Sequence, residues 1–145
     1  MKYSLSDYRM NVKTNDPALN SIFGEISIGG EGSAIDSIEV AIDGNLWDTT
    51  GFATGGYVQD KNLSRVGTAT ISLSQLSKYV NKFKQLCNAY YGGDYDGLTI
   101  TITDADNNEV AKCEDAMIQK IPTQAFGSKA AMQTWTFTCG KITLN

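Results

Sequence analysis

The side chains of this chain that could do chemistry are its acids and its thiols, because it contains no histidine. That removes the commonest general base and metal ligand, and with them every Ser-His or Cys-His nucleophile. Two carboxylates alone can cleave a glycosidic bond, and the acids placed to try are Asp94 and Asp96, which flank Tyr95, and Asp104 with Asp106. Both pairs fall in turn-like sequence, where Asp and Asn are favoured because they bond nearby backbone amides. Asp104-Ala105-Asp106-Asn107-Asn108-Glu109 starts like a calcium loop. It departs where Glu109 replaces the needed glycine, where Asp115 replaces the bidentate Glu, and in being flanked by strands. Gly29-Gly30-Glu31-Gly32 lacks the Lys-Ser/Thr ending of a phosphate loop and reads as a backbone hinge. Cys87, Cys113 and Cys139 are odd in number and widely spaced, the mark of buried free thiols and not of a disulfide framework or zinc site. The expectation is no catalytic residue, no metal and no cofactor.

The elements that would position such groups are mostly strands. Leu98, Ile100 and Ile102 alternate with Thr99, Thr101 and Thr103, and Trp135, Phe137 and Cys139 with Thr134, Thr136 and Thr138. A period of two predicts half-buried antiparallel strands. The same alternation runs through Ser37–Ile42 and Val66–Ser74, and more loosely through Tyr3–Lys13 and Ser21–Ile28, which are separated by an Asn15-Asp16-Pro17 turn. Glu109–Lys120 completes a hairpin with Leu98–Asp104, and Gln133–Leu144 forms a last strand or two, with Gly140 as a bulge or break. Between Asn45 and Arg65, Trp47, Phe52 and Tyr57 stand among Thr, Gly and Asp without a sustained period. That segment is an extended loop or twisted hairpin, its aromatics either tucked against their own domain or held for a partner. Val80, Phe83, Leu86, Cys87 and Tyr90 recur at helical spacing, so a helix is predicted over about 77–91, capped by Ser77 and stopped by Gly92-Gly93. It is expected to plug an open end or side of the sheets.

At 145 residues the chain is expected to be one domain over 1–145. It has no apolar run of the roughly 20 residues that span a bilayer and no apolar core near Met1, which suggests assembly in the cytoplasm without membrane insertion. The net charge of −4 hides a segregation. Asp16, Glu25, Glu31, Asp36, Glu39, Asp43, Asp48 and Asp60 lie between Lys13 and Lys61 with no base among them; from Lys61 to Gly93 come Lys61, Arg65, Lys78, Lys82 and Lys84 with no acid. Such runs are ordinary solvated surface, or the two faces by which copies of a polar subunit meet. Without a basic-aromatic cluster the chain is poorly suited to grip nucleic acid.

Taken in order, Gly67-Thr68-Ala69-Thr70-Ile71-Ser72-Leu73, the helix reached through Gln75 and Ser77, Leu98-Thr99-Ile100-Thr101-Ile102-Thr103-Asp104, Ala116-Met117-Ile118-Gln119-Lys120-Ile121-Pro122, Phe126-Gly127 and Gln133-Thr134-Trp135-Thr136-Phe137 form a familiar pattern. It resembles the tail-tube proteins of contractile-tailed bacteriophages and, through them, the tubes of injection machines such as the type VI secretion system. The match covers about Gly55 to Leu144 and lies in the sequence of strand, helix and punctuation, not in any single position. The resemblance implies a mainly β fold of two packed antiparallel sheets with a flanking helix. It further implies hexameric rings that stack into the inner tube of a virion tail, assembled in the host cytoplasm. The partners it implies are other copies of the chain, a sheath protein, a baseplate tube initiator, a tape measure protein, and double-stranded DNA that passes without specific binding. On this reading Trp47, Phe52 and Tyr57 are subunit-interface candidates. Thr99, Thr101, Thr103, Thr134, Thr136 and Thr138 are channel-facing candidates, and some of the acids would line the lumen.

Alternatives are the tube of a phage-derived bacteriocin or type VI-like machine, and a β-sandwich that binds carbohydrate or a cell surface through Trp47, Tyr57 or Tyr95. An enzyme using Asp94, Asp96 or Asp104 is a further contrast.

Overall fold

Alternating apolar residues become alternating buried ones along most of the chain. The computed structural model describes residues 2–15, 25–30, 34–93 and 97–145, and among these it has ten strands and one α-helix. In order they are β1 (Arg9–Thr14), β2 (Glu25–Gly29), β3 (Ile35–Ile42), β4 (Trp47–Gly51), β5 (Tyr57–Lys61), β6 (Gly67–Ser74), α1 (Lys78–Tyr91), β7 (Leu98–Thr103), β8 (Glu109–Lys120), β9 (Met132–Cys139) and β10 (Lys141–Leu144). The expected strand at Tyr3–Lys13 starts only at Arg9, after a 3₁₀ turn over Leu5–Asp7. There the Ser4 hydroxyl accepts the Ser6 amide, a local bond that competes with a ladder. Ser21–Gly24, the Asp16-Pro17 step and Glu31-Gly32 lie outside the described residues.

The strands make one large and one small antiparallel sheet: β2-β1-β7-β8-β9-β6-β3, with β10 also on β8, and the separate pair β4-β5. The large sheet divides at β8. Up to Ala116 this strand pairs with β7, and over Ala111–Glu114 also with β10; from Met117 it pairs with β9. At the division Asp115 takes a φ of 53°, and the buried phase of β8 slips from Ala111 and Cys113 to Ala116. One extra residue thus keeps the apolar side facing inward while the strand bends, the work of a β-bulge. The chain beside it breaks at the same level, between β9 and β10, where the Gly140 amide donates to the Glu114 carbonyl at 3.0 Å.

The two halves share a single buried cluster. Met10, Val12, Leu98 and Ile100 enter from one half, Ile71, Leu73, Trp135 and Phe137 from the other, and all are fully buried. The apolar stripe of α1 joins them: Phe83 lies 5.3 Å from the Trp135 ring and 5.5 Å from Phe137. The helix therefore covers the inward side of β9. Ser77 caps it, its hydroxyl accepting from the Tyr79 amide, and Gly92 closes it, its N–H donating a hydrogen bond to the Asn88 carbonyl.

Candidate functional site

The segment 45–65 is a hairpin that stands clear of the core. β4 and β5 pair Trp47 with Lys61, Asp48 with Asp60, Thr49 with Gln59, Thr50 with Val58 and Gly51 with Tyr57, and every one of these residues is exposed. Its tip is closed by bonds from the Phe52 amide to the Gly56 carbonyl and from the Gly55 amide to the Phe52 carbonyl, with Gly55 at a φ of +92°. Alternation puts Trp47, Thr49, Gln59 and Tyr57 on one face and Asp48, Thr50, Val58 and Asp60 on the other. Two features make this ribbon costly alone. A two-stranded hairpin is marginal in water, and directly opposed carboxylates repel. Trp47, Phe52 and Tyr57 are 54%, 53% and 70% exposed, and Leu46 and Leu63 near the root are 72% and 78% exposed.

The six threonines separate into two groups. Thr134, Thr136 and Thr138 lie on the outer face of the β9 half, opposite Ser72, Thr70 and Thr68 of β6, and the Ser72 and Thr134 hydroxyls meet at 2.8 Å. In the same rows stand Glu39 of β3 and Lys120 of β8. Thr99, Thr101 and Thr103 lie on the outer face of the other half, paired with Lys13, Asn11 and Arg9 of β1, with Lys112 on the far side of Thr101. They are tied down by bonds from the Thr99 hydroxyl to Asn15 and from the Asn11 amide to Thr103. Because the core lies between the halves, the two hydroxyl faces point in opposite directions. The β6–β9 face is nearly uncharged, whereas the β1–β7 face carries charges of both signs: Arg9, Lys13 and Lys112, with Glu25 beside Lys13, Glu109 beside Thr103 and Glu114 3.7 Å from Lys112.

The β9 half also ends in two strands paired on one side. Among the described residues β3 pairs only with β6, and Met117–Lys120 of β8 only with β9. Beside this β8 edge runs an apolar groove of about 620 Å³ lined by Leu86, Tyr90, Tyr91, Met117, Ile118 and Ile121. Sequence reasoning missed this groove and the exposed Leu76, Phe126 and Met132. The available signal was Phe126-Gly127, a large apolar residue in a segment with no period.

Of the acids that could do chemistry, Asp104 lies within the described residues and shapes a turn. Asp104 accepts the backbone amides of Asp106 at 3.0 Å and Asn108 at 2.9 Å, which shapes the β7–β8 turn. Asp94, Tyr95 and Asp96 lie outside the described residues. Among the described residues no three His, Cys, Asp or Glu side chains are grouped to hold a metal ion, and no helix is long and apolar enough to cross a membrane. All three cysteines are buried and free. A hydrogen bond with Cys139, reinforced by burial, raises the Cys113 thiol far above its ordinary value, and burial raises Cys87.

Residues 17–145 match the family described as Bacteriophage PhiTE tail tube protein. No curated protein matches the chain. Solved structures similar in fold include a chain of the anti-feeding prophage baseplate, at 8% identity and a TM-score of 0.57, covering 100% of this chain and 96% of that one. A chain of the anti-feeding prophage cap, the tube-terminating cap, gives 15% and 0.54, covering 100% and 93%. A chain of the PVC sheath-tube complex, from an extracellular contractile injection system in its extended state, gives 14% and 0.53, covering 100% and 93%.

Proposed function

Because the chain belongs to the bacteriophage PhiTE tail tube protein family, we propose that its 145 residues act as one tube domain that forms hexameric rings, stacked into an inner tail tube that conducts DNA during ejection. The observation that carries this reading is the β9 half-sheet, where a nearly uncharged hydroxyl face lies between two edges with room for another strand. Across β3-β6-β9-β8 every pairing is antiparallel, so β3 and β8 run in opposite directions. A copy brought alongside by rotation sets its β3 antiparallel to the first copy's β8, continuing the ladder. Such a contact joins unlike surfaces and forms a ring when the rotation closes. The groove beside Met117–Lys120 then receives the half-buried Ile38 and Val40 of the incoming β3, as in recognition by strand addition.

In this ring Thr134, Thr136 and Thr138, with Thr68, Thr70 and Ser72, line the channel, while Thr99, Thr101 and Thr103 face outward. Few basic groups lie on the β6–β9 face, so a passing duplex releases no counterions to a wall that would hold it, and Glu39 adds mild repulsion. Function resides in shape and charge, with no bond made or broken. The outer surfaces serve a sheath protein, and the tube ends serve a baseplate initiator and a tape measure protein.

Negative-stain microscopy and sedimentation of the purified protein test this directly: rings or tubes are expected, and a strict monomer at high concentration overturns it. Thr136→Lys with Thr138→Lys tests the lumen; these tubes should assemble and hold DNA at low salt, and an unchanged DNA interaction sinks the wall assignment. Virion tube and bacteriocin or injection tube share this geometry, and a capsid gene beside the sheath gene separates them.

A further inference from the structure

The β9 half-sheet has two unlike edges, and two rows of outward side chains run from one to the other. Glu39 of β3, Thr70 of β6, Thr136 of β9 and Lys120 of β8 are successive partners in the first row. Ala41, Thr68, Thr138 and Met117 are successive partners in the second. Lys120 reaches this face because Gln119 is an extra residue between the pairs Ile118 with Phe137 and Lys120 with Thr136. On β3 the outward residues of the regular ladder are Ser37, Glu39 and Ala41, so Glu39 is its only charge; Asp36 stands in the bulge between Ile35 and Ser37. On Met117–Lys120 of β8 the only charge is Lys120. Both side chains are exposed, and among the described residues neither is ion-paired within its own chain. Three strand spacings hold them about 14 Å apart, too far to meet in one copy.

We infer that Glu39 of one copy pairs with Lys120 of the next, an ion pair that fixes the register of the joint between copies and covers the base on the channel wall. The inference rests on the tube reading and names the residues that decide its lateral contact. An edge of backbone donors and acceptors does not choose a register by itself. A slip of one residue would turn Ile38 and Val40 of β3 toward the channel, so burial already excludes it. A slip of two keeps every face, and burial is blind to it. Charge is not. Continuing the rows puts Lys120 opposite Glu39 and Met117 beside Ala41, whereas a slip of two leaves Lys120 opposite uncharged Ser37 or Ala41. Opposite charges facing each other across an antiparallel pair stabilise it. The acid lies on β3 and the base on β8, so joining two β3 edges or two β8 edges brings like charges together. The pair therefore also selects the head-to-tail contact that closes a ring. A second consequence concerns DNA. A lysine free on the wall would reach a passing phosphate. Held by a neighbour's carboxylate, Lys120 is withdrawn, so a wall without a free base on these strands is completed only by assembly.

The test uses the full chain. Glu39→Lys and Lys120→Glu should each leave the circular dichroism spectrum unchanged. Each should raise about tenfold the concentration at which half the chains sediment as rings, at about 0.05 M salt. Combining the two should return that concentration to the wild-type value. Register is read separately, on chains that carry both Glu39→Cys and Lys120→Cys. Oxidised with copper-phenanthroline, they should give a ladder of disulfide-linked oligomers, because the native thiols are buried and the new pair cannot close within one chain. Ser37→Cys with Lys120→Cys should give far less. Glu39→Gln tubes should retain duplex DNA at low salt, and adding Lys120→Gln should release it. Unmoved assembly in the single reversals, no recovery in the combined variant, equal ladders from the two cysteine pairs, or no DNA retention each overturn the inference. Wild-type protein that makes neither rings nor tubes overturns the tube reading instead; rings of wild-type strength from Glu39→Lys protein overturn only the ion pair.

Discussion

The β6–β9 pair and the β4–β5 hairpin are both antiparallel ladders rich in Thr, yet one is the middle of the core and the other lies wholly in solvent. β6 buries every second residue and β9 buries Gln133, Trp135, Phe137 and Cys139, whereas β4 and β5 bury none. Their backbone bonds are alike, and such bonds add little net stability because water offers the same. The difference is the layer beneath. β9 has α1 and the opposite half-sheet to cover its apolar side; in the hairpin Trp47 and Tyr57 stay more than half exposed. A ladder with a cover is a core, and a ladder without one stays in solvent.

The sharpest way to break this contrast is at Trp135. Trp135→Ala should cost about 3–5 kcal/mol in urea unfolding. Trp135→Phe should cost far less, because it also removes an indole N–H that meets no partner among the described residues. A loss below about 1 kcal/mol for the alanine variant would mean that β9 is not central to the core.

Glycine gives the next largest effect. A Cβ on Gly67 would run into the Ala41 carbonyl and come within 2.6 Å of the Ile142 side chain, whereas one on Gly51 in the hairpin meets nothing within 4 Å. Gly67→Ala is expected to cost about 1–3 kcal/mol, and Gly51→Ala to leave the midpoint unmoved; equal effects at both sites contradict the contrast.

A smaller signature is alkaline. Burial holds Cys87 protonated above the ordinary thiol value of 9.0 in the folded chain, so its contribution is fully present below that pH. It is lost as pH rises and the unfolded thiol alone ionises. Thermal melts between about pH 7 and 11 should fall more steeply for the wild type than for Cys87→Ala, and parallel curves would refute the assignment. The smallest stability change belongs to the hairpin: Trp47→Ala should stay within about 0.5 kcal/mol of wild type while tube assembly collapses. A large melting shift would place Trp47 in its own core.

Much of the fold was legible because period carries it. β6, β7 and β9 follow from alternation, and α1 with its Ser77 cap from apolar spacing, since each pattern needs only neighbours in sequence. The β8 corner was legible in principle: the apolar phase changes between Cys113 and Ala116, with Asp115 as the extra residue. A single uninterrupted strand was the simpler reading, and it conceals the bend. The hairpin at 45–65 was one of two readings, because exposed aromatics and tucked ones look alike in sequence. The strand order β2-β1-β7 was not legible, since it joins segments some ninety residues apart through burial alone. For the candidate residues, sequence carries type and spacing but not grouping; Trp47, Phe52 and Tyr57 share one ribbon, but the six threonines do not share a face.

By itself the sequence determined that no histidine chemistry is possible, that hydroxyls alternate with core residues on several strands, and that acids and bases are segregated along the chain. These are properties of residue type and spacing. Only the tertiary structure decided which way the hydroxyls point. Asp115 and Gly140 bend β8 and its neighbours so that one sheet folds over its own apolar side. That bend turns Thr99, Thr101 and Thr103 away from Thr134, Thr136 and Thr138, because burying both apolar faces in one core forces their polar faces apart.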